Sequence, residues 1–181
     1  MITSDIIRNV KGELDAQTIY HEVRSLGDFA AFAKQYIYDA DGHVARNALW
    51  CLTKASDAEL AQLQPMLNEL IDHSMSTPHS AVRRLTLNII ERLKMSEEEL
   101  RTDFLDFCLD HMTCPTELPG IQSLCMKLAY HMCSFYPELM GEFMRTIEAM
   151  EMDFYKPAVK SIRNRLLKQK RDASVCRLYK L

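Results

Sequence analysis

Apolar residues in this chain recur at the spacing of an α-helix over most of its length. They follow i, i+3, i+4 steps and not the alternation of a half-buried strand, so the pattern predicts helices and no strands. On a larger scale, four helical segments open on an apolar anchor at intervals of 38, 39 and 38 residues: Val44, Val82, Ile121 and Val159. A period of about 20–50 residues in a helical chain indicates a solenoid of stacked hairpins.

Breaks in the apolar pattern set the predicted limits of the helices. Short loops with Gly, Pro, Asp or Ser separate the apolar segments, as hairpins in a stack require. Ser96 and Glu99 have the spacing of a capping box, which predicts a helix start there. Pro65 falls inside a predicted helix, where it either lies in the first turns or kinks the helix. The predicted helices cover about 4–11, 15–26, 28–36, 42–54, 57–71, 78–94, 97–109, 121–132, 137–150 and 154–169.

The anchored helices, each the second of its hairpin, carry a repeated inner stripe. Positions four and eight after the anchor share its face of the helix. The middle position is small in the first three units, which favours close approach of neighbouring helices, and Arg163 breaks the pattern in the last unit. Polar departures of this kind are expected where a stack ends. The stripe consists of Val44, Ala48, Leu52; Val82, Thr86, Ile90; Ile121, Cys125, Ala129; and Val159, Arg163, Leu167.

Two of these segments resemble the second helix of HEAT repeats, whose loose pattern is Asp, two residues, Val-Arg, a small residue and a leucine. They are Asp41–Leu52 and Ser80–Ile90; the Ile121 unit lacks the Arg, and Lys160 stands there in the Val159 unit. The chain is similar to HEAT or armadillo-like arrays over about residues 28–169. The resemblance implies an all-α fold, a right-handed α-α superhelix with about four hairpins and an extra N-terminal helix. We therefore expect one solenoid domain over 1–170 and a basic tail over 171–181.

Charge is unevenly placed along the chain. The net formal charge is −3, but residues 154–181 hold nine Lys or Arg and one Asp, a balance of +8, which leaves −11 for residues 1–153. Such asymmetry marks either a polyanion-binding end or a solvated last helix with a basic tail. The basic residues are not interleaved with aromatic side chains as a stacking surface for nucleic acid requires, which favours the second interpretation.

Sequence composition also bears on location. No apolar run approaches the ~20 residues that cross a bilayer, and the first residues lack the pattern of a secretory signal. Six scattered cysteines fit a reducing compartment. We expect a cytoplasmic protein without a membrane partner.

One cluster of residues has the chemistry of a metal site. Cys108, His111 and Cys114 read C-x-x-H-x-x-C, and Cys125, His131 and Cys133 follow in the next predicted helix. Thiolate and imidazole are suitable zinc ligands, but paired CxxC knuckles are absent and buried Cys commonly serves as a small hydrophobe. No phosphate-binding loop or nucleophile elbow is present. We therefore expect no metal, no cofactor and no catalytic residue, and a metal-dependent enzyme is the weakest of three hypotheses of function.

Two hypotheses of function follow from the repeat. In the first, a non-catalytic scaffold binds a protein or peptide on the face of its second helices. In the second, the chain binds nucleic acid through its basic C-terminal end or its recurring arginines, since one enzyme class with HEAT-like repeats, the alkylpurine DNA glycosylases, grips DNA in a basic groove. The −11 balance of residues 1–153 argues against this, and Trp50 is interpreted as packing. Alternatively, the arginines have a structural role, in which they cap loops or pair with neighbouring Asp and Glu side chains. The candidate binding residues are Arg46, Arg83, Arg84, Lys160 and Arg163.

Overall fold

The computed structural model describes the backbone of residues 2–178 and the side chains of residues 2–169. Within that range the regular elements are helical and no strand is present, as the apolar pattern predicts. The α-helices, numbered in chain order, are α1 Ser4–Arg8, α2 Glu13–Leu26, α3 Phe29–Tyr36, α4 Gly42–Leu52, α5 Asp57–Leu60, α6 Leu67–Ser76, α7 Ser80–Arg92, α8 Thr102–Thr113, α9 Pro119–Cys133, α10 Pro137–Ala149 and α11 Pro157–Leu178.

The structure differs from the predicted helices at three places, and the first two differences have a local cause. Around Pro65 the chain forms a 3-10 segment, Ala61–Met66, between α5 and α6, because proline cannot donate the backbone hydrogen bond of a regular helix. The capping box of Ser96 and Glu99 forms, but it closes only a 3-10 turn. Leu100 then adopts extended backbone, so α8 begins at Thr102 and not at Glu97. The last helix continues past Gln169 to Leu178.

The first compact unit, residues 1–94, is built around α4. This helix packs against α1, α2, α3 and α7, and seven of its eleven residues are buried, which makes it the centre of the unit's core. Gly27 ends α2 with a φ of 74°, a left-handed conformation that glycine adopts without a steric penalty. The side chains of Asp28 and Asp41 then accept backbone N–H groups at the starts of α3 and α4.

The second compact unit, residues 95–181, is built around α9. This helix packs against α8, α10 and α11, and nine of its fifteen residues are buried. The turn before α11 is tied to the end of α8, because the Tyr155 hydroxyl donates a hydrogen bond to the Thr113 carbonyl at 2.7 Å. Each unit therefore places an anchored second helix at its centre.

Burial confirms the repeat. All four anchors are buried, Val82 at 2% exposure and the other three at 0%. The positions four and eight residues later are also buried in α4, α7 and α9: Ala48, Leu52, Thr86, Ile90, Cys125 and Ala129. Arg163, which breaks the stripe, is only half-buried and donates hydrogen bonds to the end of α10. A polar side chain is tolerated there because its guanidinium finds backbone acceptors.

The sequence predicts one solenoid domain, which is larger than either compact unit. That residues 1–170 act as a single solenoid domain stays a prediction. The predicted basic tail, residues 171–181, lies outside the described side chains.

Candidate partner-binding face

The second helices expose only a narrow strip of their surface. Along α4, α7 and α9, the positions from the anchor to eight residues beyond it are buried, except for the second and sixth. The single further exception is Arg83 on α7, which is half-buried. Positions two and six are one helical turn apart and lie on one face. We call this set the outward stripe: Arg46, Trp50, Arg84, Asn88, Ser123 and Lys127, with Ser161 and Arg165 at the same positions of α11.

The outward stripe has a distinct composition. Each second helix contributes one basic residue to it, namely Arg46, Arg84, Lys127 and Arg165, and none contributes an acidic residue. The single tryptophan of the chain, Trp50, also lies on it. Trp and Arg are the residue types enriched among the contacts that dominate binding energy at protein interfaces.

Arg46 is positioned by a buried asparagine. Its Nε and Nη2 donate to Oδ1 of Asn47 at 3.0 and 2.8 Å. Asn47 is fully buried, and its own Nδ2 donates to the carbonyls of Ile7 at 2.9 Å and Val10 at 3.3 Å. Because the asparagine is fixed from behind by the end of α1, the guanidinium is held in one orientation at the surface. A side chain ordered in advance loses less entropy on binding a partner.

Trp50 and Arg84 complete the stripe in the first unit. Trp50 is half-buried on α4, and Lys54 Nζ lies 5.7 Å from its ring centroid, while the same ammonium pairs with Glu13 at 2.6 Å. Arg84 is exposed on the adjacent helix α7, and it has no hydrogen bond or ion pair with the side chains described through residue 169. Its guanidinium is therefore available to a partner.

Two predicted binding residues serve as helix caps. Arg83 donates from Nε to the Ser74 carbonyl at 3.0 Å and from Nη2 to the Thr77 carbonyl at 2.6 Å, at the end of α6. Arg163 donates to the carbonyls of Ile147 and Glu148 at the end of α10, the latter at 3.0 Å. The last carbonyls of a helix lack intrahelical partners, so these arginines satisfy them. A role for either residue in binding a partner stays a prediction.

The remaining candidates occupy different positions. Lys160 is half-buried on α11, one residue after its anchor and beside the outward stripe. Arg46 and Arg84 are the two predicted residues that the first unit brings onto one stripe, together with Trp50 and Asn88. Asn88 is not named as a candidate in the sequence analysis, which assigns Trp50 to packing. The pattern that could have identified both is their position six residues after an anchor.

The side chains proposed as zinc ligands contact separate partners. His111 pairs through Nδ1 with Glu117 Oε2 at 2.6 Å, and the Cys114 thiol contacts the Thr116 hydroxyl at 3.2 Å. Cys108 is buried, and burial together with the neighbouring Cys125 raises the pKa of its thiol well above the usual value. Among the described residues, no group of three or more His, Cys, Asp or Glu side chains is arranged to hold a metal ion.

The thiols differ in reactivity. Burial raises the pKa of Cys51 to about 12 and that of Cys133 to about 11. The hydrogen bond from Thr116 lowers the pKa of Cys114, which is only partly buried. Because the thiolate is the reacting form, we expect Cys114 to react faster than the buried Cys51, Cys108 and Cys133.

Stacked helical hairpins with a repeated buried anchor define an α-helical repeat protein of the solenoid class. The family model for the HEAT repeat domain matches residues 4–170, so the chain belongs to the HEAT repeat domain family. HEAT repeat domains serve in general as protein-interaction or scaffold modules. Searches of curated proteins and of solved structures find no match. Within residues 2–178, no helix has both the length and the apolar character needed to span a membrane.

Proposed function

We propose that this protein is a non-catalytic interaction module that binds a protein or peptide on the face of its second helices. The observation that supports the proposal is the outward stripe. In the first unit it brings Arg46, Trp50, Arg84 and Asn88 onto two helices that pack side by side, α4 and α7. A cytoplasmic location belongs to the same proposal.

The chemistry of this part of the stripe suits a peptide backbone or a polar side chain. Trp50 offers an apolar ring with an N–H donor, Arg46 and Arg84 offer guanidinium donors, and Asn88 both donates and accepts. Truncating a side chain of this type at the centre of an interface weakens the binding free energy by on the order of 2 kcal/mol or more. A single substitution on the stripe is therefore expected to weaken binding measurably.

The experiment compares two exposed basic residues by affinity capture from nuclease-treated lysate. Arg84→Glu reverses a charge on the stripe, and Lys34→Glu reverses an exposed charge on α3, away from it. We expect a defined protein to be captured by the unaltered chain and by Lys34→Glu, and to fall about tenfold in Arg84→Glu, which corresponds to about 1.4 kcal/mol. Equal recovery with both variants would contradict the proposal.

A second variant tests the aromatic contact. Trp50→Ala removes the ring while leaving Arg84 in place, and its fold is checked by circular dichroism because the ring is half-buried. We expect the same captured protein to be lost. Retention of that protein by a folded Trp50→Ala variant would mean that the binding surface lies elsewhere.

Nucleic-acid binding, including a role like that of the alkylpurine DNA glycosylases, is the second candidate function. The absence of acidic side chains from the outward stripe favours it, and the −11 balance of residues 1–153 opposes it. Capture repeated without nuclease separates the two functions. Recovery of a partner only in the untreated lysate would favour the nucleic acid.

A further inference from the structure

The segment from Lys156 to Gln169, which includes the described side chains of α11, is rich in positive charge. It contains five Lys or Arg, no Asp or Glu and no aromatic residue. Arg163 uses its guanidinium to cap α10. Lys160, Arg165 and Lys168 lie on the side of α11 away from the buried Val159 and Leu166, and we call these three the basic face of α11.

Elsewhere in the chain, basic side chains are commonly neutralised. Ion pairs join Arg8 to Asp41 at 2.6 Å and Lys54 to Glu13 at 2.6 Å, and Arg101 pairs with Asp103 at 2.6 Å. By contrast, none of the three residues of the basic face has an ion pair or side-chain hydrogen bond with a residue up to 169. The face therefore concentrates positive charge that the described neighbours do not balance.

The dimensions of the basic face set the size of a partner. Lys160 and Lys168 are two turns apart, about 12 Å along the axis at 1.5 Å per residue. Arg165 and Lys168 are three residues apart, within the screening length of about 8–10 Å, so these two like charges repel each other, whereas Lys160 is largely screened from Lys168 at physiological salt. A partner that brings two or three carboxylates to this face relieves that repulsion and gains charge-assisted hydrogen bonds.

The surroundings favour an acidic peptide over a nucleic acid. No aromatic side chain is available in this segment for base stacking. Exposed Glu148, at the end of α10, and exposed Glu151 and Asp153, in the connection to α11, come just before the basic segment. Arg163 donates directly to the Glu148 carbonyl. A long phosphate backbone crossing α11 would approach these acids, whereas a short acidic segment fits on the basic face alone.

We propose that the basic face of α11 binds a short protein segment rich in Asp and Glu. The inference extends the proposed function to the second unit and names the chemistry of the partner. It rests on that function only in assuming that the chain is a binding module.

The experiment measures binding of a fluorescent poly-glutamate peptide of about 12 residues by anisotropy, at about 50 to about 200 mM salt. The probes for comparison are poly-glutamine of equal length and a short DNA duplex. Lys160→Glu/Arg165→Glu/Lys168→Glu reverses the face. Lys11→Glu/Lys34→Glu/Lys94→Glu is the matched control, because its residues are exposed, lie in the first unit and change the net charge equally.

We expect poly-glutamate to bind the unaltered chain more tightly than either comparison probe, with affinity falling as salt rises. The reversal on α11 lowers that affinity at least about tenfold, and the control lowers it less than about threefold. Equal losses in the two variants would show a general charge effect and overturn the proposal. Tighter binding of the duplex, or equal binding of poly-glutamine, would also overturn it.

A milder variant guards against misfolding. Lys160→Gln/Arg165→Gln/Lys168→Gln removes the charges without adding acids. Its affinity for poly-glutamate is expected to fall, but by less than in the charge reversal. A folded variant with unchanged affinity refutes the proposal. The α11 variants leave Arg84 and Trp50 unchanged, so the α11 variants can fail to lower poly-glutamate affinity while capture on the stripe of the first unit succeeds, and the reverse.

Discussion

Asn47 connects the core of the first unit to its candidate binding stripe, and Asn47→Ala is expected to damage both. The side chain is fully buried, and its Nδ2 donates to the carbonyls of Ile7 at 2.9 Å and Val10 at 3.3 Å. The Ile7 carbonyl keeps a second donor, the Val10 N–H at 3.1 Å. Truncation therefore removes these two buried hydrogen bonds, a longer one to the Arg8 carbonyl at 3.4 Å and the two that Oδ1 accepts from Arg46, and it leaves chiefly the Val10 carbonyl without a partner.

The expected loss follows from these contacts. Each net hydrogen bond contributes about 1 kcal/mol, and a buried carbonyl left unsatisfied costs about 1–3 kcal/mol. The free energy of unfolding of the first unit should fall by about 3 kcal/mol, a large share of the roughly 5–15 kcal/mol of an ordinary domain.

Urea unfolding followed by Trp50 fluorescence reports on this unit, because Trp50 is the single tryptophan and lies on the same helix. Asn88→Ala is the matched control on α7, where the side chain is half-exposed, and it should change stability by no more than about 0.5 kcal/mol. If Asn47→Ala and Asn88→Ala shift the midpoint equally, Asn47 does not hold the end of α1 as the hydrogen bonds indicate.

Further predictions concern a cap, a thiol and a half-buried histidine. Arg83→Ala should lower the free energy of unfolding by about 2 kcal/mol, since it removes charge-assisted bonds to two carbonyls. The control Arg84→Ala should change that free energy by no more than about 0.5 kcal/mol, and equal urea midpoints for the two variants would contradict the capping role. Brief alkylation of the native chain should modify Cys114 before Cys108, and peptide mass spectrometry that finds the reverse order would contradict the burial described. Burial lowers the pKa of His73, so the unfolded chain binds its proton more readily; stability is retained above about pH 6.5 and lost as the pH falls through the lower folded value. His73→Gln should flatten that part of the stability–pH curve, and an unchanged slope would exclude this histidine as its source.

The helical repeat could be predicted because it depends on local spacing. Burial of an anchor favours burial of the residues four and eight positions later, since helix geometry places them on the same face, although Arg163 and Leu167 after Val159 are only half-buried. Val44, Val82 and Ile121 obey this rule with their later partners. The failure at Ser96 has a local cause as well: the capping box forms as expected, but extended backbone at Leu100 prevents the turn from growing into a helix.

The roles of the arginines could not be predicted from spacing. Arg83 and Arg163 reach carbonyls nine and sixteen residues earlier in the chain, at the ends of α6 and α10. Arg92 reaches still further, to the Thr53 and Ala55 carbonyls beyond α4. Which helix end lies beside a given guanidinium depends on how the hairpins pack, and the sequence pattern contains no signal for it.

The outward stripe could be predicted from the sequence only in part. The direction of positions two and six is fixed by the anchors, because they lie roughly opposite the inner stripe at about 100° per residue. The width of the accessible strip is not fixed in this way, since it depends on neighbouring helices covering both flanks of α4, α7 and α9. That double coverage makes Trp50 a half-exposed residue between buried neighbours and not a packing residue alone. It also gives the stripe its specificity on α4, α7 and α9: with so little surface available on each of these helices, one basic side chain on each dominates what a partner meets there.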